Sequence, residues 1–594
     1  MNNNDRKQEA RRIRLSAADI AYTRVHPDHI ANGDEHKFRS VTGNKPSYLA
    51  SFTKGMPHDD DTGLVLNPDD FQRFVKGIDS GDPRDFIDTP LGPIAGTPGS
   101  PVWRSSKAKK HKAKVRAWES QGAGNTFDLE GPDAQAVTMP PAPVLGSNEL
   151  IAEMGEVYVQ ALLRDVPFTD ITDESGKVSC KPSYGSGRPL TVKTALKELN
   201  KLAWFKSDDC CLLDTNEVKR KRATLTGQNA FRGITAGDNI GPYISQFLLA
   251  GNKGINGMDA IHKADDGYIA YGAIRADQRV RHATPCDDHM TNWKEWLDVQ
   301  DGANLGGLES YVCKKTEAYR FITTPRDLAT YVHYDALYKA YLNACLILLG
   351  EGTPFDPDLP FQRPDYIDHQ QSFAHFGGPH ILSLVTEVAT RALKAVRYQK
   401  FNIHRRMRPE VLAARLSKHK ELDVAELDTM VDALKPILSL VDKKNPKDTC
   451  LKHGNYLLPM AFCEGSPMHP AYGAGHATVA GACVTVLKAF FDHKHPLTLA
   501  GNDTTAFVPT SDGSKLVTTP VTNGTLTIEG ELNKLASNIA IGRDWAGVHY
   551  FTDYIESLRM GEKIALGILE EQKLTYGENF SMTVPLFDWG SIII

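Results

Sequence analysis

One stretch constrains this chain more than any other: His469-Pro470-Ala471-Tyr472-Gly473-Ala474-Gly475-His476, running directly into ATVAGACVTVLKAFFDH. Two histidines flank a turn of small residues, and an apolar helix begins at the second. A helix that starts at Gly475-His476 aims free backbone N–H groups, and the positive end of its dipole, at whatever lies before it. That is an anion site with an acid/base residue built in. The plainer reading is a glycine-rich helix entry whose histidines only satisfy local hydrogen bonds.

The remaining segments are mostly helical in pattern. SNELIAEMGEVYVQALLRDV opens with a capping Ser147 and carries Leu150, Met154, Val157 and Ala161 at helical spacing. TVKTALKELNKLAWF, NIGPYISQFLLAG, TPRDLATYVHYDALYKAYLNACLILLG, PHILSLVTEVATRALKAVRYQKF, VAELDTMVDALKPILSLV and TDYIESLRMGEKIALGILEEQ read the same way. The one clear β signal is KLVTTPVTNGTLTIEG, where Asn523-Gly524 joins two β-branched runs as a hairpin. Long amphipathic helices, short connections and one small hairpin predict a mainly α fold of helix bundles.

Residues 1–145 differ. They are rich in Gly, Pro and Asp, and read as an irregular, extended arm with isolated aromatics (Trp103, Trp118, Phe127). Isolated aromatics need a surface to pack on, so the arm is expected to wrap a neighbouring subunit, with 146–594 forming the bundle domain. The basic run KAKKHKAKVR within it reads as a solvated surface.

With 594 residues, 41% hydrophobic and 24% charged, the composition is that of an ordinary globular protein with a large core. The net charge of −5 gives no reason to expect nucleic-acid binding, so any cationic site is local. No apolar run reaches transmembrane length, and the start, MNNNDRKQEARRIR, lacks an apolar core; no membrane association and a cytoplasmic location are expected. The nine cysteines include no C-x-x-C pair but one vicinal pair, Cys210-Cys211, which suggests mostly reduced thiols with room for a few disulfides.

Three cationic clusters surround the opening stretch in sequence. Lys400 and Arg408 bracket the end of one helix, because Pro409 disfavours helical geometry at Arg408. The second cluster is the His469–His476 stretch. In the third, GRDWAGVHYFTD, Arg543 precedes His549 and Asp553, which stand four apart, as on one helix face. Taken singly each is weak: basic residues near helix ends usually face solvent, and His–Asp pairs are common. Together, one lysine, two arginines, a turn of N–H groups and several histidines describe a pocket for a tetrahedral oxyanion.

Lys400…Arg408-Pro409, Gly473-Ala474-Gly475-His476 and Arg543…Gly547…His549…Asp553 resemble the three-part signature of the vanadium-dependent haloperoxidases, a version of which the type-2 phosphatidic acid phosphatases share. The blocks FGGPHILSLVTEVATRALKAVRYQKFNIHRRMRPE and HPAYGAGHA look like the bromoperoxidases of red algae and their bacterial relatives, and the resemblance spans the chain. It implies that His549 bonds vanadium, with Asp553 fixing its tautomer. Lys400, Arg408, Arg543, the Gly475 N–H and the position of Ala474 would hold vanadate oxygens. His476 would deprotonate hydrogen peroxide, Lys400 would polarise it, and vanadium would stay a Lewis acid.

In such enzymes the positions of Arg397 and His469 line the halide site; this pair, in place of bulky aromatics, implies bromide and iodide as substrates, with organic nucleophiles as acceptors. Ala474 stands where the family has a serine that bonds a vanadate oxygen, and Gly473 replaces a proline. A phosphomonoesterase is the alternative function, since phosphate and vanadate are near-isosteric, but the Lys400–Arg408 spacing is one residue longer than is usual in the phosphatases. A relative weakened by Ala474 is the other. The resemblance further implies calcium on the Phe361 and Arg363 carbonyls and the Asp368 and Gln370 side chains, and a homodimer or larger homo-oligomer, up to a dodecamer-like assembly. Without the family, the calcium segment is an ordinary polar loop. His375, His380, His404, Cys463 and Cys483 read as packing residues.

Overall fold

The computed structural model describes residues 3–40, 45–93, 102–180, 189–206, 215–222, 224–252, 263–362 and 369–594. The chain is mainly α. Its principal helices are α1 (Asn3–Thr23), α2 (Asn148–Leu163), α3 (Lys339–Gly350), α4 (Gly378–Tyr398), α5 (Pro409–Ser417), α6 (Ala425–Lys444), α7 (Gly475–Phe490), α8 (Ile528–Trp545) and α9 (Phe551–Lys573). Among the described residues the strands pair only as separate two-stranded ribbons, and no helix is long and apolar enough to cross a membrane.

Helix α7 is the axis of the bundle. Its residues are buried on every side except at His476, as its unbroken apolar sequence requires. It packs against α4, α8 and α9. The contact with α9 is backbone-close: a Cβ on Gly481 would stand 2.2 Å from the Leu558 carbonyl oxygen, and one on Gly561 would stand 2.1 Å from that of Thr478. Only glycine at both positions lets the two helices meet. Ser147 caps α2, accepting from Leu150 N at 3.2 Å, and α2 is buried along almost its whole length.

Several elements depart from the sequence reading. NIGPYISQFLLAG forms a single short turn, Gln246–Leu248, held by buried side chains: Gln246 Nε2 donates to Phe507 O, and Ser245 Oγ to Glu531 O. The hairpin pairs β1 (Thr505–Pro509) with β2 (Leu516–Pro520), Pro509 facing Leu516. Its turn is Asp512-Gly513, where Asp512 gathers the Thr510 and Ser514 hydroxyls and Gly513 takes φ 71°. Asn523 instead binds the 239–241 loop, accepting from Gly241 N and donating to Asn239 O. The run after it leads into Thr527, the cap of α8.

The segment 1–145 contains α1 and shorter helices such as Pro68–Ser80. From residue 24 onward it lies against its own chain. Arg24 donates to Gly567 O and Glu571, Arg405 pairs with Glu35, and Phe71 and Phe74 share a cluster with Phe401. The isolated aromatics are therefore used in part at home: Trp118 Nε1 donates to Lys54 O at 2.8 Å, and Trp103 Nε1 to Ala113 O at 2.6 Å, whereas Phe127 is exposed. Helix α1 has no buried residue. Cys180 and Cys286 form a disulfide, while Cys313, Cys345, Cys450, Cys463 and Cys483 are free. Cys210-Cys211 lies outside the described residues.

Candidate active site

The three cationic clusters meet at the N-terminal end of α7. Helix α4 does not run on to Arg408. It widens into a π-type turn over Gln399–His404, and Arg405 takes the left-handed conformation, φ 42°. Lys400 sits on that turn and donates to the carbonyl oxygens of Pro470 and Ala471 at 2.7 and 3.1 Å. Arg408 is extended, immediately before Pro409 opens α5. Its fork reaches both remaining clusters: Nη2 donates to His469 Nδ1 at 2.9 Å, and Nη1 to His549 Nε2 at 2.9 Å and Val548 O at 2.8 Å.

Arg543 lies in the last turn of α8, and its Nη1 donates to Val332 O at 2.8 Å. Gly547, at φ 88°, turns the chain between α8 and α9. His549 therefore precedes α9, rather than sharing a helix face with Asp553 as its spacing suggested. Asp553 sits in the first turn, where its Oδ2 accepts from Tyr550 N at 3.3 Å and from His549 Nδ1 at 2.8 Å. With Nδ1 donating, Nε2 keeps a lone pair, the one that faces Arg408 here.

Ala474 caps α7 without a side-chain bond. Its N–H donates to Ser557 Oγ on α9 at 2.8 Å, so this amide is already engaged. Gly475 begins the helix, and a Cβ there would stand 3.9 Å from Arg397 Nη1, which brings the end of α4 beside the start of α7. His476, partly exposed, shares a hydrogen bond between Nε2 and Asp335 Oδ1 at 3.1 Å.

Charge and burial here pull against each other. Lys400, Arg408 and Arg543 are buried. Burial, then Arg408 and Arg397, pushes the Lys400 ammonium well below the usual lysine range. Burial, with help from Arg543, takes Arg408 down to about 9. His549 and His469 are held well below the ordinary histidine range, first by burial and then by these cations. Burial alone would raise Asp335, but His476 and Arg543 hold it below the usual carboxylate range. Arg543 Nε is buried without a partner among the described residues. A pocket of mutually repelling buried cations with an orphaned N–H fits a multiply charged oxyanion with several acceptor oxygens, such as vanadate.

Four residues that no local sequence signal singles out, Asp335, Arg406, Glu153 and Glu119, lie beside these groups. Asp335 lies in a break between helices Pro325–Tyr331 and α3, within a segment whose pattern reads as one continuous helix. Arg406 binds Asp553 Oδ1 at 2.7 Å and Glu153 Oε2 at 3.0 Å, all of them buried. Glu119, from the N-terminal segment, pairs with Arg397 and lies 3.4 Å from His469 Nε2. Of the calcium positions, Arg363 and Asp368 lie outside the described residues; Phe361 takes φ 63°, and Gln370 is exposed.

The helical bundle and its buried cation pocket define an oxyanion-holding protein, and comparison with known proteins specifies which. The family model described as the VCPO second helical-bundle domain matches residues 448–575. The vanadium-dependent bromoperoxidase of Corallina pilulifera is 49% identical, covering 98% of this chain and 97% of its own. That of Ascophyllum nodosum is 30% identical, over 92% of this chain and 86% of its own. In fold, the homohexameric structure of the second vanadate-dependent bromoperoxidase of Ascophyllum nodosum superposes with a TM-score of 0.79. It is 24% identical and covers 100% of this chain and 91% of that one. The chain belongs to the vanadium-dependent bromoperoxidase family.

Proposed function

We propose that the chain uses hydrogen peroxide to oxidise bromide and iodide to a hypohalous-acid equivalent, which halogenates organic nucleophiles. What supports this reading is that Lys400, Arg408, Arg543 and His549 are buried, Arg408 bonds both His549 and His469, Asp335 joins partly exposed His476 to the charge of Arg543, and Arg397 adjoins Gly475. Vanadate, when bound, supplies Lewis-acid activation of peroxide. Lys400, Arg408, Arg543 and the Gly475 N–H would hold its oxygens, and the Nε2 lone pair of His549 would bond the metal.

The remaining steps belong to the chain's own groups. Asp553 orients the His549 ring. Asp335 holds His476 through Nε2, which leaves Nδ1 to take the proton from peroxide and to return it to the leaving oxygen. Lys400, fixed by the Pro470 and Ala471 carbonyls, directs positive charge at the reacting oxygen. Arg397 and His469 offer the donors for the halide.

Calcium on the 361–370 segment and assembly into a homodimer or larger oligomer complete the proposal. The unburied α1 supports an arm that reaches a second copy. The Cys180–Cys286 disulfide weighs against the expected cytoplasmic location. The test is bromide, iodide and chloride kinetics with and without vanadate, following bromination of monochlorodimedone. Vanadate-dependent turnover with bromide and iodide is expected. Steady hydrolysis of p-nitrophenyl phosphate without bromination would establish the phosphatase instead.

A further inference from the structure

Glu119 stands at the donors assigned above to the halide. Arg397 Nη2 donates to its Oε2, and His469 Nε2 lies 3.4 Å from its Oε1. Nδ1 of His469 lies 2.9 Å from Arg408 Nη2 and 3.1 Å from Pro470 O; in the tautomer that accepts from the arginine, which can only donate, Nε2 carries the proton and faces Glu119. Its charge also reaches Lys400, Arg408 and Arg543, each of which it stabilises in the protonated form.

The backbone around Glu119 is pinned. Its N–H donates to Met468 O at 3.2 Å, and neighbouring Trp118 is tied to Lys54 O. The side chain is not pinned: 43% of it is exposed, against 16% for Arg397 and 8% for His469. A fixed stem thus carries a solvent-facing carboxylate whose two contacts are the two groups a halide needs.

Resting on the assignment of Arg397 and His469 to the halide, we propose that Glu119 is an internal anion that competes with halide for these donors. Halide entry displaces the carboxylate into solvent, and Glu119 thereby sets the halide affinity of the enzyme. It touches neither the vanadate ligand His549 nor His476, so its direct contacts bear on halide rather than on peroxide.

The test is bromide titration of vanadate-loaded, peroxide-free protein, followed by the bromine-81 NMR linewidth, for the wild type, Glu119→Gln and Glu119→Asp. Loading with vanadate keeps bromide out of the oxyanion pocket. The bromide dissociation constant, and KM for bromide, should fall about three- to fivefold in Glu119→Gln, the range of a partly exposed ion pair. The shorter carboxylate of Glu119→Asp should lie between, and KM for peroxide should change less than KM for bromide. An unchanged or weakened bromide affinity in Glu119→Gln, with an unaltered melting temperature, overturns the proposal and makes Glu119 a tether for the N-terminal segment. Tighter bromide binding in Glu119→Gln without halogenating turnover in any variant would fault the assigned reaction and leave the competition standing.

Discussion

Asp335 and His476, 141 residues apart, meet at 3.1 Å at the N-terminal end of α7. The carboxylate comes from a helix break and the imidazole from a helix start, so neither element alone builds the pair.

Asp335→Asn keeps the shape and removes the charge. Because outer partners of a working histidine typically account for about 10- to 100-fold in activity, the kcat for bromide oxidation should drop by that factor. Vanadate affinity should change less. An unaltered kcat and pH–rate profile would remove Asp335 from the mechanism.

Ala474→Ser restores a hydroxyl at the cap of α7, where the backbone N–H is already engaged by Ser557. A hydrogen bond to a charged oxyanion is worth about 1.5–3 kcal/mol, so vanadate should bind roughly tenfold tighter or more. Equilibrium dialysis of vanadate reads this directly; equal affinity would mean that the site has compensated elsewhere.

Arg406→Met leaves the buried Asp553 and Glu153 carboxylates without the cation they share. Breaking a buried ion pair from one side costs about 3–5 kcal/mol, to be read as a shift in the urea midpoint. Since Asp553 also orients His549, vanadate affinity should fall along with stability. Lost stability with full vanadate affinity would limit Arg406 to holding the fold.

His404 is buried, both ring nitrogens lack partners among the described residues, and burial, then Arg406, lowers it from 6.5 to about 3. Unfolding restores the ordinary proton affinity, so between these values the unfolded chain binds the extra proton. The stability gained from a neutral ring is complete above pH 6.5 and lost as pH falls toward 3. His404→Phe should therefore flatten the acid limb of the stability profile and unfold at lower pH than the wild type. A steeper limb in the variant would refute this.

The calcium site proposed for the 361–370 segment predicts that chelator lowers the melting temperature and added calcium restores it, because all-oxygen ligation favours a hard cation. Magnesium should restore it less well. Melting curves that ignore both treatments would strike calcium from the account.

The legible part of the site is the part written locally. Lys400 and Arg408-Pro409, Gly475-His476, and His549 with Asp553 announce themselves because helix ends, dipoles and short spacings are properties of neighbouring residues. Asp335 and Glu119 reach their partners across 141 and 278 residues, and a single sequence contains no register for such contacts. Turn chemistry explains the misplaced hairpin: Asn523-Gly524 and Asp512-Gly513 both signal a turn, and which one wins depends on the 239–241 loop, which gives Asn523 other partners. The mainly α class survives these errors because long apolar periodicity, as in α4 and α9, is averaged over many residues.

The glycine contacts between α7 and α9 act as a rivet. His476, the proposed base, stands on one blade and the Asp553 support of His549 on the other. The rivet at Gly481 and Gly561 lies about 9–15 Å down the helices at 1.5 Å per residue. A methyl group added there would not touch the pocket, yet it would pry the blades apart and widen the gap between proton acceptor and metal ligand. Active-site precision in this protein is thus stored partly in two missing side chains, well away from the chemistry they align.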